Sequence, residues 1–187
     1  MTRIIAGSRG GRRLATPAGS RTRPTTDRVR EALFSAVESW CGSLHGLHVL
    51  DLYAGSGAVG LEAWSRGAER VTLVESDRRT AALITANARA IGADVGADVD
   101  VQAVSVATHL ARPPSTPYDV VFSDPPYPLT EDALAVDLDL LQHHLAPDAL
   151  VVVERSRRSP EPMWPSRILR ERDKRYGETT LWYGHAP

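Results

Sequence analysis

At 187 residues and 42% hydrophobic composition, the chain is long enough for one domain with a substantial core, which excludes a disordered polymer. The single cysteine, Cys41, excludes a disulfide framework and a cysteine-based zinc site, and no apolar run nears the roughly 20 residues of a membrane span. A formal net charge of −1 conceals a division: residues 1–30 hold eight arginines against Asp27 alone, residues 155–175 hold eight basic against three acidic residues, and the remainder is strongly acidic. Either basic segment alone fits a solvated surface, whereas the two together point to a polyanion gripped at both ends of the chain.

In chain order, residues 3–6 and 12–15 read as short strands around a turn containing Gly7, Gly10 and Gly11, a basic β-hairpin. The N-terminus lacks the apolar core of a signal peptide. A Pro/Gly/Thr loop runs from Pro17 to Pro24, and Thr25 or Thr26 caps a helix with Asp27 in its first turn. Val29, Leu33, Val37 and Trp40 recur at helical spacing and predict its buried stripe. These features divide the chain into a hairpin arm and loop over 1–24 and one larger domain over 25–187.

Strand and helix patterns then alternate. Strands are expected at 48–52, 70–75, 99–104, 118–123, 150–154, 167–172 and 179–183, with helices at 58–66, 77–91 and 131–144 and a short helical turn after residue 104. Repeated βα units with apolar strands predict a mostly parallel seven-stranded α/β sheet covered on both faces, the last two strands closing as a hairpin.

Two motifs carry chemistry. The fourth strand runs into Asp124-Pro125-Pro126-Tyr127. Two prolines fix φ and remove two donors, so the segment is a stiff elbow with a carboxylate before it and an aromatic ring after it. Asp124 and the Pro125 carbonyl form an acceptor pair beside a flat ring, a receptor for a planar group carrying an exocyclic NH2. The first strand runs into Asp51-Leu52-Tyr53-Ala54-Gly55-Ser56-Gly57-Ala58-Val59-Gly60, a glycine turn that opens a helix, and Glu75 ends the second strand. This pattern fits adenosine, with Glu75 accepting ribose hydroxyls. Asp51 at the helix N-terminus repels a pyrophosphate and suits an ammonium group, which favours S-adenosylmethionine over a dinucleotide. Tyr53, Ser56, Gly57 and Ser76 complete the candidate cofactor residues of this pattern. The six histidines show no metal-ligand spacing, so no metal is expected.

With the glycine loop on the first strand and the elbow on the fourth, the chain resembles the class I S-adenosylmethionine-dependent amino-methyltransferases. The run Arg23-Pro24-Thr25-Thr26-Asp27-Arg28-Val29-Arg30-Glu31-Ala32-Leu33-Phe34, behind Arg3-Ile4-Ile5-Ala6-Gly7 and Gly10-Gly11-Arg12-Arg13-Leu14, resembles the N-terminal signature of the RsmD family, bacterial guanine-N2 methyltransferases of 16S ribosomal RNA. The resemblance extends from the hairpin through the elbow and thins after about residue 155. It implies a Rossmann-like class I methyltransferase fold and S-adenosylmethionine as cofactor. It also implies a cytoplasmic monomer acting on 16S rRNA, naked or in a small-subunit assembly particle. Asp124, Pro125, Pro126 and Tyr127 would be catalytic, and Arg3, Arg9, Arg12, Arg13, Arg21, Arg23, Arg28, Arg157 and Arg158 would hold RNA. One departure is Val104-Ser105-Val106, where related enzymes often carry Asp or Asn against the adenine; the resemblance then implies Ser105 as the cofactor residue for that contact. The elbow alone also fits adenine N6 or a protein glutamine, and the other readings are an NAD-dependent oxidoreductase and a non-catalytic RNA-binding module.

Overall fold

A computed structural model describes residues 2–17 and 26–187. Strands β1 (Thr2–Arg3) and β2 (Arg13–Leu14) pair antiparallel and form the expected hairpin. Helix α1 (Asp27–Cys41) follows, capped by Thr26, whose side chain accepts from the Val29 N–H; Thr25 lies outside the described residues. The chain then alternates through β3 (His48–Leu52), α2 (Ala58–Ser65), β4 (Arg70–Val74), α3 (Arg78–Ala90), β5 (Val99–Gln102), α4 (Val106–Leu110), β6 (Tyr118–Ser123) and α5 (Glu131–Leu141). It ends with β7 (Leu145–Ser156), β8 (Leu169–Tyr176) and β9 (Thr179–His185).

The seven strands lie in the order β5-β4-β3-β6-β7-β9-β8, parallel except where β9 pairs antiparallel with β7 and β8. Alternation along each strand divides the core in two. Val49, Val71, Leu73, Val120, Phe122, Leu150 and Val152 pack with Leu33, Phe34, Val37, Leu61 and Ile84 of α1, α2 and α3. Leu50, Leu52, Val74, Val121, Val151 and Val153 pack with Val106, Leu110, Leu134, Leu138 and Leu141 of α4 and α5. Period 2 in a strand buried on both faces makes every position apolar, so these strands read as continuous hydrophobic runs.

Some details depart from the expected elements: β8 runs over Leu169–Tyr176 rather than 167–172, because its antiparallel ladder with β9 continues to the turn at Gly177. β7 begins five residues earlier than expected, at Leu145. The α5 helix stops at Leu141, and Gln142 carries its last backbone bonds. Trp40 is 41% exposed rather than buried; its indole N–H donates to the Asp148 carbonyl at 3.1 Å, so a stripe position near the helix end serves as a bracket.

The hairpin is built into the core. Ile4 and Leu14 are fully buried in the first cluster. Glu62, with no exposed surface, accepts from the Ile5 and Ala6 N–H groups at 2.7 and 2.9 Å and from Arg66 Nε at 2.9 Å. Arg66 also pairs with Glu31 and Glu38 and lies over the Phe34 ring at 4.7 Å, so one guanidinium locks α1 to α2. Arg30, 1% exposed, donates to Thr2 Oγ1, the Arg3 carbonyl and Asp27. Arg30 is therefore structural and takes no part in the basic surface that charge counting assigned to it. Replacing Glu62 with alanine strands the Ile5 and Ala6 backbone donors and removes one of the three carboxylate partners of Arg66; we expect a loss of roughly 3 kcal/mol in urea unfolding, with an unchanged denaturant slope.

Candidate active site

In a parallel sheet, the carboxyl ends of the strands face the loops that can hold a ligand. β3 and β6 are neighbours here, with Asp51 opposite Phe122 and Leu52 opposite Ser123. The Asp124 N–H reaches the Leu52 carbonyl at 3.4 Å, so the elbow leaves the sheet at the level where the glycine loop begins. β4 flanks β3 on the other side, Leu52 opposite Val74, and delivers Glu75 to the same edge.

The glycine loop is held by its acids. Asp51, 4% exposed, accepts from the Gly60 N–H at 2.8 Å across the first turn of α2. Glu75 accepts from the Gly55 N–H at 3.0 Å through one oxygen and from the Asp77 N–H at 2.9 Å through the other. Each carboxylate oxygen keeps a lone pair for a ligand donor. Gly57 has φ +78°, and a Cβ there would meet Ile84 Cγ2 at 2.9 Å, so the loop sits hard on α3. At Gly55, φ +56°, a Cβ would meet only the Tyr53 carbonyl at 4.0 Å; the space above it is open. Tyr53 itself holds φ 60°, a strained conformation for a residue with a Cβ, and its hydroxyl donates to Asp137 of α5. Burial followed by that bond and the Asp137 charge push the Tyr53 hydroxyl upward, and burial also raises the Asp137 carboxyl.

At the elbow, Pro125 is buried and Asp124 is open to solvent on one side and crowded by protein on the others. That crowding, then the charges of Glu154 and Asp51, raise the Asp124 carboxyl well above the usual range, with Arg155 opposing. Burial likewise raises Asp51 to about 7, Glu75 adding to the effect and the Gly60 N–H opposing it. Four carboxylates thus converge on one edge of the sheet, an arrangement that attracts a cation and repels a pyrophosphate. Tyr127 is 85% exposed, and its hydroxyl donates to Ser156 Oγ at 3.2 Å, which also accepts from the Arg158 N–H. Arg155 donates to the Leu129 carbonyl and pairs with Glu131, bracing the chain after the elbow.

The remaining candidates are dispersed. Ser76 is exposed beside Glu75, whereas Ser56 lies in the loop and its carbonyl accepts from Asn87. Ser105 caps α4, with its hydroxyl bonded to the Thr108 N–H and side chain, so its polar group is engaged within its own helix turn. Arg13, Arg28, Arg157 and Arg158 are exposed. Arg3 pairs with Asp27, Arg12 donates to the Ala90 carbonyl, and Arg9 lies over the Trp64 ring at 5.5 Å. Arg21 and Arg23 lie outside the described residues. Arg155, counted among the basic tail residues, is buried and paired. Sequence reasoning missed Glu154, Ser156 and Asp137. The first two end the strand beside the elbow, a placement the strand order makes readable, and Asp137 is a polar residue within the apolar stripe of α5. A cavity of about 210 Å³ opens elsewhere, lined by His48, Arg70 and Tyr118, the first residues of three strands, and contains none of Asp51, Glu75 or Asp124. Among the described residues, no group of three or more His, Cys, Asp or Glu side chains could hold a metal, and no helix is long and apolar enough to cross a membrane.

A family model described as conserved hypothetical protein 95 matches residues 2–185. The chain belongs to this family, the RsmD family. Ribosomal RNA small subunit methyltransferase D of Escherichia coli (strain K12) is 36% identical to this RsmD-family chain over 183 residues, 94% of this chain and 85% of that protein. The solved structure of Escherichia coli yhhF matches with a TM-score of 0.85 at 33% identity, over 98% of this chain and 97% of that one. The solved structure of a hypothetical protein from Thermus thermophilus matches with a TM-score of 0.80 at 30% identity, over 98% of both chains. The RsmD-family chain has the Rossmann-like class I methyltransferase fold and is a methyltransferase.

The raised Asp51 carboxyl fixes the sign of a pH effect. The folded state holds that proton up to about pH 7, whereas the unfolded chain releases it near the ordinary value of 3.8, so stability falls as pH rises between those values. Asp51→Asn keeps the shape and the acceptor for the Gly60 N–H without the charge. Thermal melts of the ligand-free protein should show this variant more stable than the parent at pH 8, with the advantage shrinking toward pH 5.

Proposed function

We propose that this protein transfers a methyl group from S-adenosylmethionine to the exocyclic N2 of a guanine in 16S ribosomal RNA, as a cytoplasmic monomer acting during small-subunit assembly. The juxtaposition of the glycine loop with the Asp-Pro-Pro-Tyr elbow, one strand apart at the same level, carries this reading. The choice of ribosomal RNA is supported by the relative named for small-subunit rRNA methylation, and guanine N2 by membership of the family.

The residues present fit the cofactor. Asp51 and Glu75 offer acceptors for an ammonium group and for ribose hydroxyls, and the open space above Gly55 admits a ligand against the backbone. Tyr53, Ser56 and Gly57 belong to the same loop and Ser76 follows Glu75 in the chain, while Ser105, whose hydroxyl caps α4, would take part only through its backbone. When bound, S-adenosylmethionine supplies an electrophilic methyl group.

The protein's part is to present and hold the amine. A guanine N2 lone pair is delocalised into the ring, so the Asp124 carboxylate and the Pro125 carbonyl accept its two N–H groups and turn the lone pair toward the methyl carbon. Pro125 and Pro126 keep those acceptors in place, so alignment supplies much of the rate. Tyr127 offers an exposed ring for the base, which must leave its stack or be single-stranded. A carboxyl raised above its ordinary range makes Asp124 a better acceptor for the proton released once the amine is methylated. Exposed Arg13, Arg28, Arg157 and Arg158, with Arg3, Arg9 and Arg12 of the hairpin, hold phosphates and report shape rather than sequence.

Asp124→Ala should abolish transfer of labelled methyl groups to 16S rRNA while S-adenosylhomocysteine still binds in calorimetry. Near-normal turnover would remove Asp124 from this role. Nucleoside mass analysis of the product should show the label on guanine N2, and label on adenine N6 would move the substrate assignment.

A further inference from the structure

Asn87, on α3, joins two parts of the molecule that its sequence keeps far apart. The side chain is 4% exposed. Its Oδ1 accepts from the Ala15 N–H at 2.8 Å, and its Nδ2 donates to the Ala15 carbonyl at 2.9 Å and to the Ser56 carbonyl at 3.1 Å. Ala15 directly follows the second hairpin strand, and Ser56 lies between the two glycines of the cofactor loop. One amide therefore bonds both backbone groups of the hairpin exit and one carbonyl of the loop. The donor and acceptor sides are fixed by this set, since a flipped amide would set an oxygen against two carbonyls.

The rest of α3 makes this bridge stiff. One turn before Asn87, Ile84 closes on Gly57, so the helix presses the loop at one residue and bonds it at its neighbour. The hairpin is held on the same side by the Arg12 bond to the Ala90 carbonyl and, on α2, by Glu62 and Ser65. The loop's glycines take positive φ freely, which leaves its path underdetermined by local sterics and dependent on outside contacts.

We propose that Asn87 is a positioning residue for the cofactor site, and that through it the N-terminal hairpin shapes the glycine loop as well as presenting arginines to RNA. The hairpin is then part of the cofactor-binding machinery, and binding at the loop tightens the hairpin exit. This inference rests on the S-adenosylmethionine reading of the glycine loop.

Asn87→Asp tests it, because aspartate keeps the size and the acceptor for the Ala15 N–H but turns both donated bonds into repulsion against carbonyls. Calorimetric titration with S-adenosylhomocysteine should give a dissociation constant at least about tenfold weaker than the parent's, about 1.4 kcal/mol, at a temperature where circular dichroism shows the variant folded. An unchanged constant in the folded variant overturns the proposal. Should the variant not fold, hydrogen exchange on the parent decides: S-adenosylhomocysteine should slow exchange at the Ala15 and Ile4 amides as well as in the loop. Protection confined to residues 54–60 overturns it. A parent that binds no S-adenosylhomocysteine refutes the cofactor reading itself, a result distinct from either.

Discussion

Parallel pairing of β3 with β6 sets Leu52 opposite Ser123 and ends both strands at one level, so two chain reversals of different chemistry leave the sheet side by side. A one-residue slip would turn every side chain of β6 to the other face, exchanging Val121 for Phe122 between the two cores and carrying Asp124 away from the loop. The two hydrophobic clusters hold that register because each accepts only alternate residues. The geometry of the candidate site follows from core packing, and the acids themselves contribute repulsion rather than cohesion.

That repulsion is inherent in the site. Asp51 and Asp124 are crowded by protein and by neighbouring negative charge, and both are raised in consequence. A core of valine and leucine on both sheet faces offsets this, and the backbone N–H groups of Gly55, Gly60 and Asp77 satisfy part of the carboxylate capacity. Strain at Tyr53 falls at the same edge and is held by Asp137. Destabilising features concentrated at one place, within an otherwise consistent fold, are the physical mark of a functional site.

Charge divides less simply. Counting arginines along the chain marks its first thirty residues as a grip for a polyanion, yet the side chains separate by burial. Arg30 is engaged in holding the hairpin to α1, and Arg155 in bracing Leu129 and Glu131, while Arg13, Arg28, Arg157 and Arg158 face solvent. The hairpin owes its position to Glu62, Ser65 and Asn87, polar residues inside helices that carry no motif.

Local order was legible from residues alone, because it depends on near neighbours. Period 2 and period 3.6 located the strands and helices to within a few residues, Thr25 or Thr26 ahead of Asp27 marks the first helix start by capping, and two adjacent prolines force the elbow whatever surrounds it. That Asp51, Glu75 and Asp124 stand at the carboxyl ends of neighbouring strands also follows from motif and spacing. Tertiary structure alone decided which arginines are free, that Ser105 commits its hydroxyl to a cap, that Glu154 and Ser156 border the elbow, and that Asn87 ties the hairpin to the glycine loop. Most of these depend on residues from distant parts of the chain meeting, and a one-dimensional pattern carries no record of a contact made across seventy residues.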